Sequence, residues 1–207
     1  VAFNRPVTGE AAEALRQVFY EIVLAPGFEP AALEILRNKR DLRILDMGES
    51  GAPGRRGWEV RQVSGGVLMQ TQDILEEDPQ GWQVATEREP TREELLDLAF
   101  AWKAVKHVKS NAIVVARGQA LLGMGAGQPN RVVSVHLSLK AAGEASRGAV
   151  LASDAFFPFA DGVVTAAEGG ITAVVQPGGS IRDGEVIDAA NRLGLAMVFT
   201  GVRHFRH

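Results

Sequence analysis

Val23-Leu24-Ala25-Pro26-Gly27 and, much later, Val174-Val175-Gln176-Pro177-Gly178 are the two stretches on which the fold turns. Each reads as a buried-type strand broken by Pro-Gly, and each leads into a helix and a further strand. In front of each lies another strand and helix, beginning near Val1 in the first case and near Val150 in the second. Val1 to Pro26 spans 25 residues and Val150 to Pro177 spans 27, so spacing as well as order is kept. Matching order at matching spacing marks an internal repeat, and a duplicated α/β unit is expected. The second copy has a helix and a hairpin before it and the first has nothing, so the first copy is read as incomplete. Strands alternating with helices pair in parallel and need helices over both sheet faces. Chance likeness between two ordinary βαβ stretches is the competing explanation.

Working outward, Thr8 can cap a helix over 9–20 with Ala12, Leu15, Val18 and Phe19 on its apolar side. Strands are expected at 21–25 and 43–45 around a helix at 30–36. The glycine-rich stretch 47–57 reads as a mobile loop. Alternation predicts a strand at 58–63 and another at 67–69, and the polar run 71–90 reads as a surface connector. Thr91 and Glu94 form a capping box that opens a helix to about residue 105. Strands at 112–116 and 120–122, a loop at 123–130 and a helix at 131–142 follow, and the last strand is expected at 195–200. This organisation divides the chain into 1–90 and 91–207. Val1 stands first in place of Met, and Val1-Ala2-Phe3 reads as the end of a strand. The expectation is a piece of a longer polypeptide, or one whose first part was removed.

The 207 residues carry 22 Lys+Arg against 25 Asp+Glu, and 46% are hydrophobic. That composition sits away from the polar, highly charged corner of disordered chains, and the length suffices for a real core. A net charge of −3 argues against a dedicated nucleic-acid binder. No apolar run is long enough for a transmembrane helix, so no membrane partner is expected. With no cysteine, disulfides, thiolate catalysis and Cys-ligated zinc are excluded, and a reducing cytoplasmic setting is permitted.

Four segments can carry chemistry. Glycines at 123, 125 and 127 follow a strand and open a helix, where backbone amides and the helix dipole favour anions. The spacing is neither G-x-G-x-x-G nor a Walker loop. It reads as close packing or, with Arg131, as an anion or oxyanion cradle. Lys106-His107-Val108-Lys109-Ser110-Asn111 gathers an amine, an imidazole, a hydroxyl and an amide before a strand; it reads as a solvated helix end or as proton-carrying groups. Ser153-Asp154-Ala155-Phe156-Phe157-Pro158-Phe159 places three aromatics at the carboxyl end of a strand, where open α/β sheets dock ligands. Core packing is the alternative for the phenylalanines. Arg203-His204-Phe205-Arg206-His207 reads as a frayed end, or as a tail folding back to grip a phosphate and stack on a base.

Lys109-Ser110-Asn111-Ala112-Ile113, Gly125-Ala126-Gly127-Gln128 with Arg131, the 153–159 motif, Gln176-Pro177-Gly178-Gly179-Ser180 and the terminal 203–207 motif together resemble one family. It is the AICAR transformylase domain of the bifunctional AICAR transformylase/IMP cyclohydrolase enzymes. The resemblance runs over essentially the whole chain, is densest from about 98 to 207, and implies the carboxyl-terminal part of that domain. The fold it implies is a pair of cytidine-deaminase-like three-layer units, the first incomplete.

The activity it implies is formyl transfer from 10-formyltetrahydrofolate to the 5-amino group of AICAR in purine (IMP) biosynthesis, with no zinc. By resemblance, Asn111 positions the reacting amine and formyl group. The amides around Asn130, Arg131 and Val132 face the developing oxyanion, and His207 is a terminal imidazole near the site. Phe156, Pro158 and Phe159 wall the folate pocket, with Asp161 and Ser180 as polar contacts. Arg203 meets the nucleotide phosphate and Phe205 the aminoimidazole. Asp154 helps hold a monovalent cation, usually potassium. The family acts as a homodimer with its site at the dimer interface. The chain departs from it in lacking the K-H-x-x-P segment that supplies the acid/base pair; Lys106-His107 is not given that role. The cyclohydrolase domain is absent too, so the chain alone is expected to turn over poorly or not at all. A non-catalytic nucleotide- or folate-binding module and a dimerisation fragment are the alternatives.

Overall fold

Thr8 starts the first helix as its sequence predicts: its Oγ1 accepts the Ala11 amide at 3.2 Å, and α1 runs over Gly9–Arg16. The computed structural model describes residues 1–48, 57–75 and 78–206. Most of the glycine-rich 47–57 loop, and His207, lie outside the described residues. The chain forms two compact units, 1–74 and 75–207.

In the first unit α1 is shorter than expected. Its last carbonyls are met by Lys39, whose Nζ donates to Leu15 O at 3.1 Å and Val18 O at 2.5 Å. Val18 and Phe19 therefore fall beyond the helix, and Phe19 is 82% exposed where the apolar face was expected. Strand β1 (Ile22–Ala25) pairs in parallel with β2 (Arg43–Asp46) across α2 (Pro30–Arg37). Proline begins α2, where its missing N–H costs nothing. Val1-Ala2-Phe3 forms a parallel bridge to β1 through Ala2 and Leu24. Val7, Ala12, Leu15, Val23, Ala25, Ala32 and Leu36 make a small core. Strands β3 (Trp58–Val63) and β4 (Gly66–Thr71) form a separate antiparallel hairpin. Its apolar row stays exposed, Trp58 at 65% and Met69 at 57%.

The second unit is built on a six-stranded sheet. In chain order it holds β5 (Gln83–Val84), α3 (Arg92–Val105), β6 (Ile113–Arg117), β7 (Ala120–Gly125) and α4 (Arg131–Ala142). Next come β8 (Val150–Ser153), α5 (Asp161–Glu168), β9 (Ala173–Gln176), α6 (Asp183–Arg192) and β10 (Ala196–Phe199). The sheet order is β5-β10-β9-β8-β6-β7. The three repeat strands β8, β9 and β10 run parallel, as alternation with helices requires. The sheet as a whole is mixed, because β6 lies antiparallel to both β7 and β8, and β5 antiparallel to β10. A short turn forces the first of these. Gly118 and Gln119 both have positive φ, 61° and 55°, the backbone of a tight hairpin. Asp97 Oδ2 and Oδ1 accept their amides at 2.9 and 2.7 Å.

Helices cover both faces. Leu98, Ala101, Trp102 and Val105 of α3 pack on Val114, Ala116, Ala152, Val175 and Val198. Val135 of α4, Val163 of α5 and Val186 of α6 pack on Ile113, Val115, Leu151, Val174 and Met197 from the other side. Alternate strand residues thus feed opposite cores.

Two expectations change here. The stretch 75–90, read as a connector of the first half, belongs to the second unit. It supplies β5, the Thr86 Oγ1 that accepts the Met197 amide at 2.7 Å, and Arg88. Arg88 donates to Gly194 O at 2.9 Å, to Thr172 O, and to both oxygens of Glu94 at 3.0 and 2.8 Å. Burial raises the Glu94 carboxyl. Hydrogen bonds from Arg88, the Thr172 side chain and the Thr91 backbone outweigh it, and with the Arg88 charge they lower the group to about 2. Gly123 and Gly125 are not in a loop either: they end β7. A Cβ on Gly125 would lie 2.0 Å from Ser134 O, and one on Gly123 equally close to Ser138 O. Those glycines let α4 lie directly on the strand, which is the close-packing reading of the motif.

Candidate functional site

The carboxyl end of β8, the residues entering β6 and the first turn of α4 meet around one buried guanidinium. Arg131 is 6% exposed and Asp154 fully buried. Arg131 Nη1 donates to Ser153 Oγ at 2.8 Å and to Asp154 Oδ1, and its Nη2 donates to Asn111 Oδ1 at 2.8 Å. Asn111 Nδ2 donates to Gln128 O at 2.9 Å, while the Asn111 carbonyl accepts Ser134 Oγ at 2.8 Å. The peptide bond between Ser110 and Asn111 is cis. Asn111 is thus held at both ends of its amide, with one N–H and one lone pair left over by the inventory of that group. Three Arg131 hydrogen bonds are thus made to protein, one of them to the Asn111 side chain.

A cavity of about 480 Å³ opens beside this network. Asn111, Asn130 and Arg131 line it, and so do Phe156, Pro158, Phe159 and Asp161. The other wall is Arg203 with Phe205. The tail folds back: Ser110 N donates to Arg206 O at 2.8 Å, and His204 N donates to Asp154 O at 2.9 Å. Of the three phenylalanines, Phe157 is core, 1% exposed, its amide donating to the buried Gln176 Oε1 at 3.0 Å. Phe156 and Phe159 face the cavity. The aromatic motif therefore serves both of its readings at once.

Other expected residues are placed differently. Ser180 is not among the lining residues; its hydroxyl accepts the Arg182 amide at 3.1 Å in the turn before α6. That turn reaches the cavity wall through Arg182, whose guanidinium lies 4.7 Å over the Phe159 ring. At the start of α4, Asn130 caps the helix by accepting the Val132 amide at 3.1 Å, so that amide already has a partner. Asp154 accepts from Arg131 with one oxygen and from Ser110 Oγ at 2.5 Å with the other. Both Asp154 oxygens thus serve protein donors, one of them a guanidinium counter-charge. Lys106 and His107 line a second cavity, also of about 480 Å³, with Trp82, Trp102, Lys103 and His204. They stand apart from the first cavity. Gln128 is quoted in the sequence motif without a role, and Ser134 escapes the sequence reading; a serine one turn beyond a helix cap is too common a pattern to single out.

An α/β unit whose strand ends, helix start and returning tail enclose a cavity with a guanidinium at its rim belongs to the class of small-molecule sites at sheet edges. More narrowly, the chain belongs to the AICARFT/IMPCHase bienzyme family, whose model matches residues 1–141. The bifunctional purine biosynthesis protein PurH of Desulfitobacterium hafniense is 51% identical over 207 residues, covering 100% of this chain and 40% of that protein. The protein of the same description from Nostoc punctiforme is 54% identical, again over 100% of this chain and 40% of the relative. The chain thus spans about 40% of the length of these relatives. Among solved structures, Acinetobacter baumannii RibD aligns with a TM-score of 0.35 and 16% identity, over 48% of this chain and 32% of that one. A likeness at that level carries no argument.

Proposed function

We propose that this chain is the carboxyl-terminal part of an AICAR formyltransferase region and supplies the nucleotide- and folate-facing side of its site in purine biosynthesis. One observation carries the reading. Arg203 and Phe205, 92 and 94 residues beyond Asn111 in the chain, share its cavity with the Phe156 and Phe159 wall. In this reading Arg203 meets the phosphate of AICAR and Phe205 packs on the aminoimidazole. The aromatic wall takes the reduced folate, 10-formyltetrahydrofolate, as co-substrate.

The reaction joins the AICAR 5-amino nitrogen to the formyl carbon and breaks that carbon's bond to folate N10. The attacking nitrogen loses a proton and N10 gains one. Asn111, fixed by Arg131 and Gln128, is suited to orient the amine and the formyl oxygen. A group that moves the proton is expected from outside this chain, in keeping with the missing K-H-x-x-P segment. The enzyme is taken to be a cytoplasmic homodimer whose site is completed by further polypeptide. The cytidine-deaminase-like pairing of the two units belongs to the same proposal.

The test is formyl transfer from 10-formyltetrahydrofolate to AICAR monophosphate by the chain, with and without the remaining part of a PurH relative. Binding of both ligands by the chain alone, and turnover only on addition of the remainder, is the expected result. Absence of any binding or turnover in either case overturns the reading. Binding that never yields turnover favours a non-catalytic module, for which the already bonded Val132 amide speaks.

A further inference from the structure

The end of the chain alternates. Arg203 and Phe205 face the ligand cavity, whereas His204 between them is buried, 2% exposed, and lines the second cavity. This is the side-to-side habit of extended backbone. The His204 ring lies 4.7 Å from that of Trp102, inclined at 45°. Trp102 is fixed in its turn, 3% exposed on α3, with Trp82 edge-on at 6.3 Å. The backbone adds two anchors: His204 N donates to Asp154 O at 2.9 Å, and Arg206 N donates to Ser110 Oγ at 3.1 Å. Phe205 lies between these anchors, and the Arg203 guanidinium lies 5.0 Å over its ring. A segment outside helix and strand is ordered only by contacts of this kind, and a guanidinium on a loose segment must be ordered each time a ligand binds.

We propose that the contact of the His204 ring with Trp102 is a latch that holds the Arg203 guanidinium in the ligand cavity, Phe205 being kept by the neighbouring Arg206–Ser110 bond, so that Trp102 and His204 are positioning residues for an anionic nucleotide they do not touch. The latch rests on the reading of Arg203 as the phosphate contact. It goes beyond that reading in assigning a role to the side of the tail turned away from the ligand. Since Trp102 sits on the face of the sheet served by α3, the latch ties the precision of the site to a core on the side opposite α4.

The experiment measures the affinity of the chain for AICAR monophosphate and for the phosphate-free riboside in four forms: unmodified, His204→Ala, Arg203→Ala and the double variant. Arg203→Ala is expected to weaken the monophosphate and spare the riboside. His204→Ala is expected to weaken the monophosphate by about tenfold and leave the riboside within about twofold, because only ordering of the guanidinium is lost. On the Arg203→Ala background it should then add nothing. Trp102→Phe, which keeps a ring to stack on, should bind as the unmodified chain does.

A His204→Ala loss that persists undiminished on the Arg203→Ala background, or falls equally on the riboside, is a general structural effect and overturns the latch. Unchanged monophosphate binding by His204→Ala overturns it too. If Arg203→Ala binds the monophosphate normally, or the unmodified chain binds neither ligand, the phosphate reading itself fails and the latch with it.

Discussion

The stretch from Ala2 to Asp46 and that from Val150 to Phe199 follow one order: extended segment, helix, strand, Pro-Gly, helix, strand, all paired in parallel. In the second, every residue of β8 and β9 is buried; in the first, three of the four residues of β2 are exposed. Charged Arg43 and Asp46 bound β2 where β8 and β9 carry no charge, and the surroundings differ as well. β8 is flanked by β9 and β6, and both sheet faces are covered by helices. The first stretch has a two-stranded sheet and one small core. Strand ends become a site only where the sheet around them is complete enough to bury a charge network such as that of Asp154 and Arg131. The same βαβ grammar therefore yields a cavity at the carboxyl strand ends in one unit, whereas the cavity of the other, about 360 Å³, lies beside the ends of its two helices.

Perturbing matched positions tests that contrast. Asp154→Asn should have the largest effect. It leaves Arg131 buried without its counter-charge, and urea denaturation should show a loss of about 3–5 kcal/mol in the second unit. The exposed Arg16–Glu13 pair of the first unit, broken by Glu13→Gln, should cost less than about 0.5 kcal/mol. A small effect of Asp154→Asn would end the claim that burial separates the copies.

Gly125→Ala should come next, at about 1–3 kcal/mol, since its Cβ would meet the Ser134 carbonyl and push α4 from β7. In the first unit Gly27→Ala places a Cβ 3.8 Å from Pro6, ordinary contact, and should be nearly neutral in the same assay.

Glu94→Gln tests the tie between α3 and the stretch 75–90. Its carboxyl is lowered from 4.5 to about 2 in the fold, so the unfolded chain binds the proton first. The stability it contributes is complete above about pH 4.5 and is lost as pH falls towards 2. The variant should lose about 1–2 kcal/mol at neutral pH and show a flatter acid limb. An unchanged acid limb would separate Glu94 from acid unfolding.

Thr8→Ala should cost about 0.5–1 kcal/mol by thermal denaturation, for one helix cap. Thr91→Ala should exceed it, because the capping box in the second unit also holds Glu94 against Arg88.

Caps, turns and periodicity were legible before any coordinates. The Thr91–Glu94 box, Asn130 as the start of α4, and the helices after both Pro-Gly breaks depend on neighbours within a few residues. Helix length was less so: α1 stops at Arg16 because Lys39, distant in sequence, meets its carbonyls. The glycines at 123 and 125 gave away their importance but not their purpose, since close approach to α4 involves a partner helix. At the site, Asn111, Arg131, Phe156, Phe159 and Arg203 were singled out by motif, and they do converge on one cavity. Ser180 was singled out too and lies in the neighbouring turn instead.

By itself, the order of residues determined the alternation of strands and helices and the chemical types available at the strand ends, because these follow from local propensity and from side chains spaced two or three to four apart. Only the tertiary structure decided that the tail returns to Asp154, that His204 turns away from Arg203 and Phe205 to meet Trp102, and that Asn111, Phe156 and Arg203 share one cavity. Those outcomes rest on contacts between residues scores of positions apart, whose geometry no local pattern encodes.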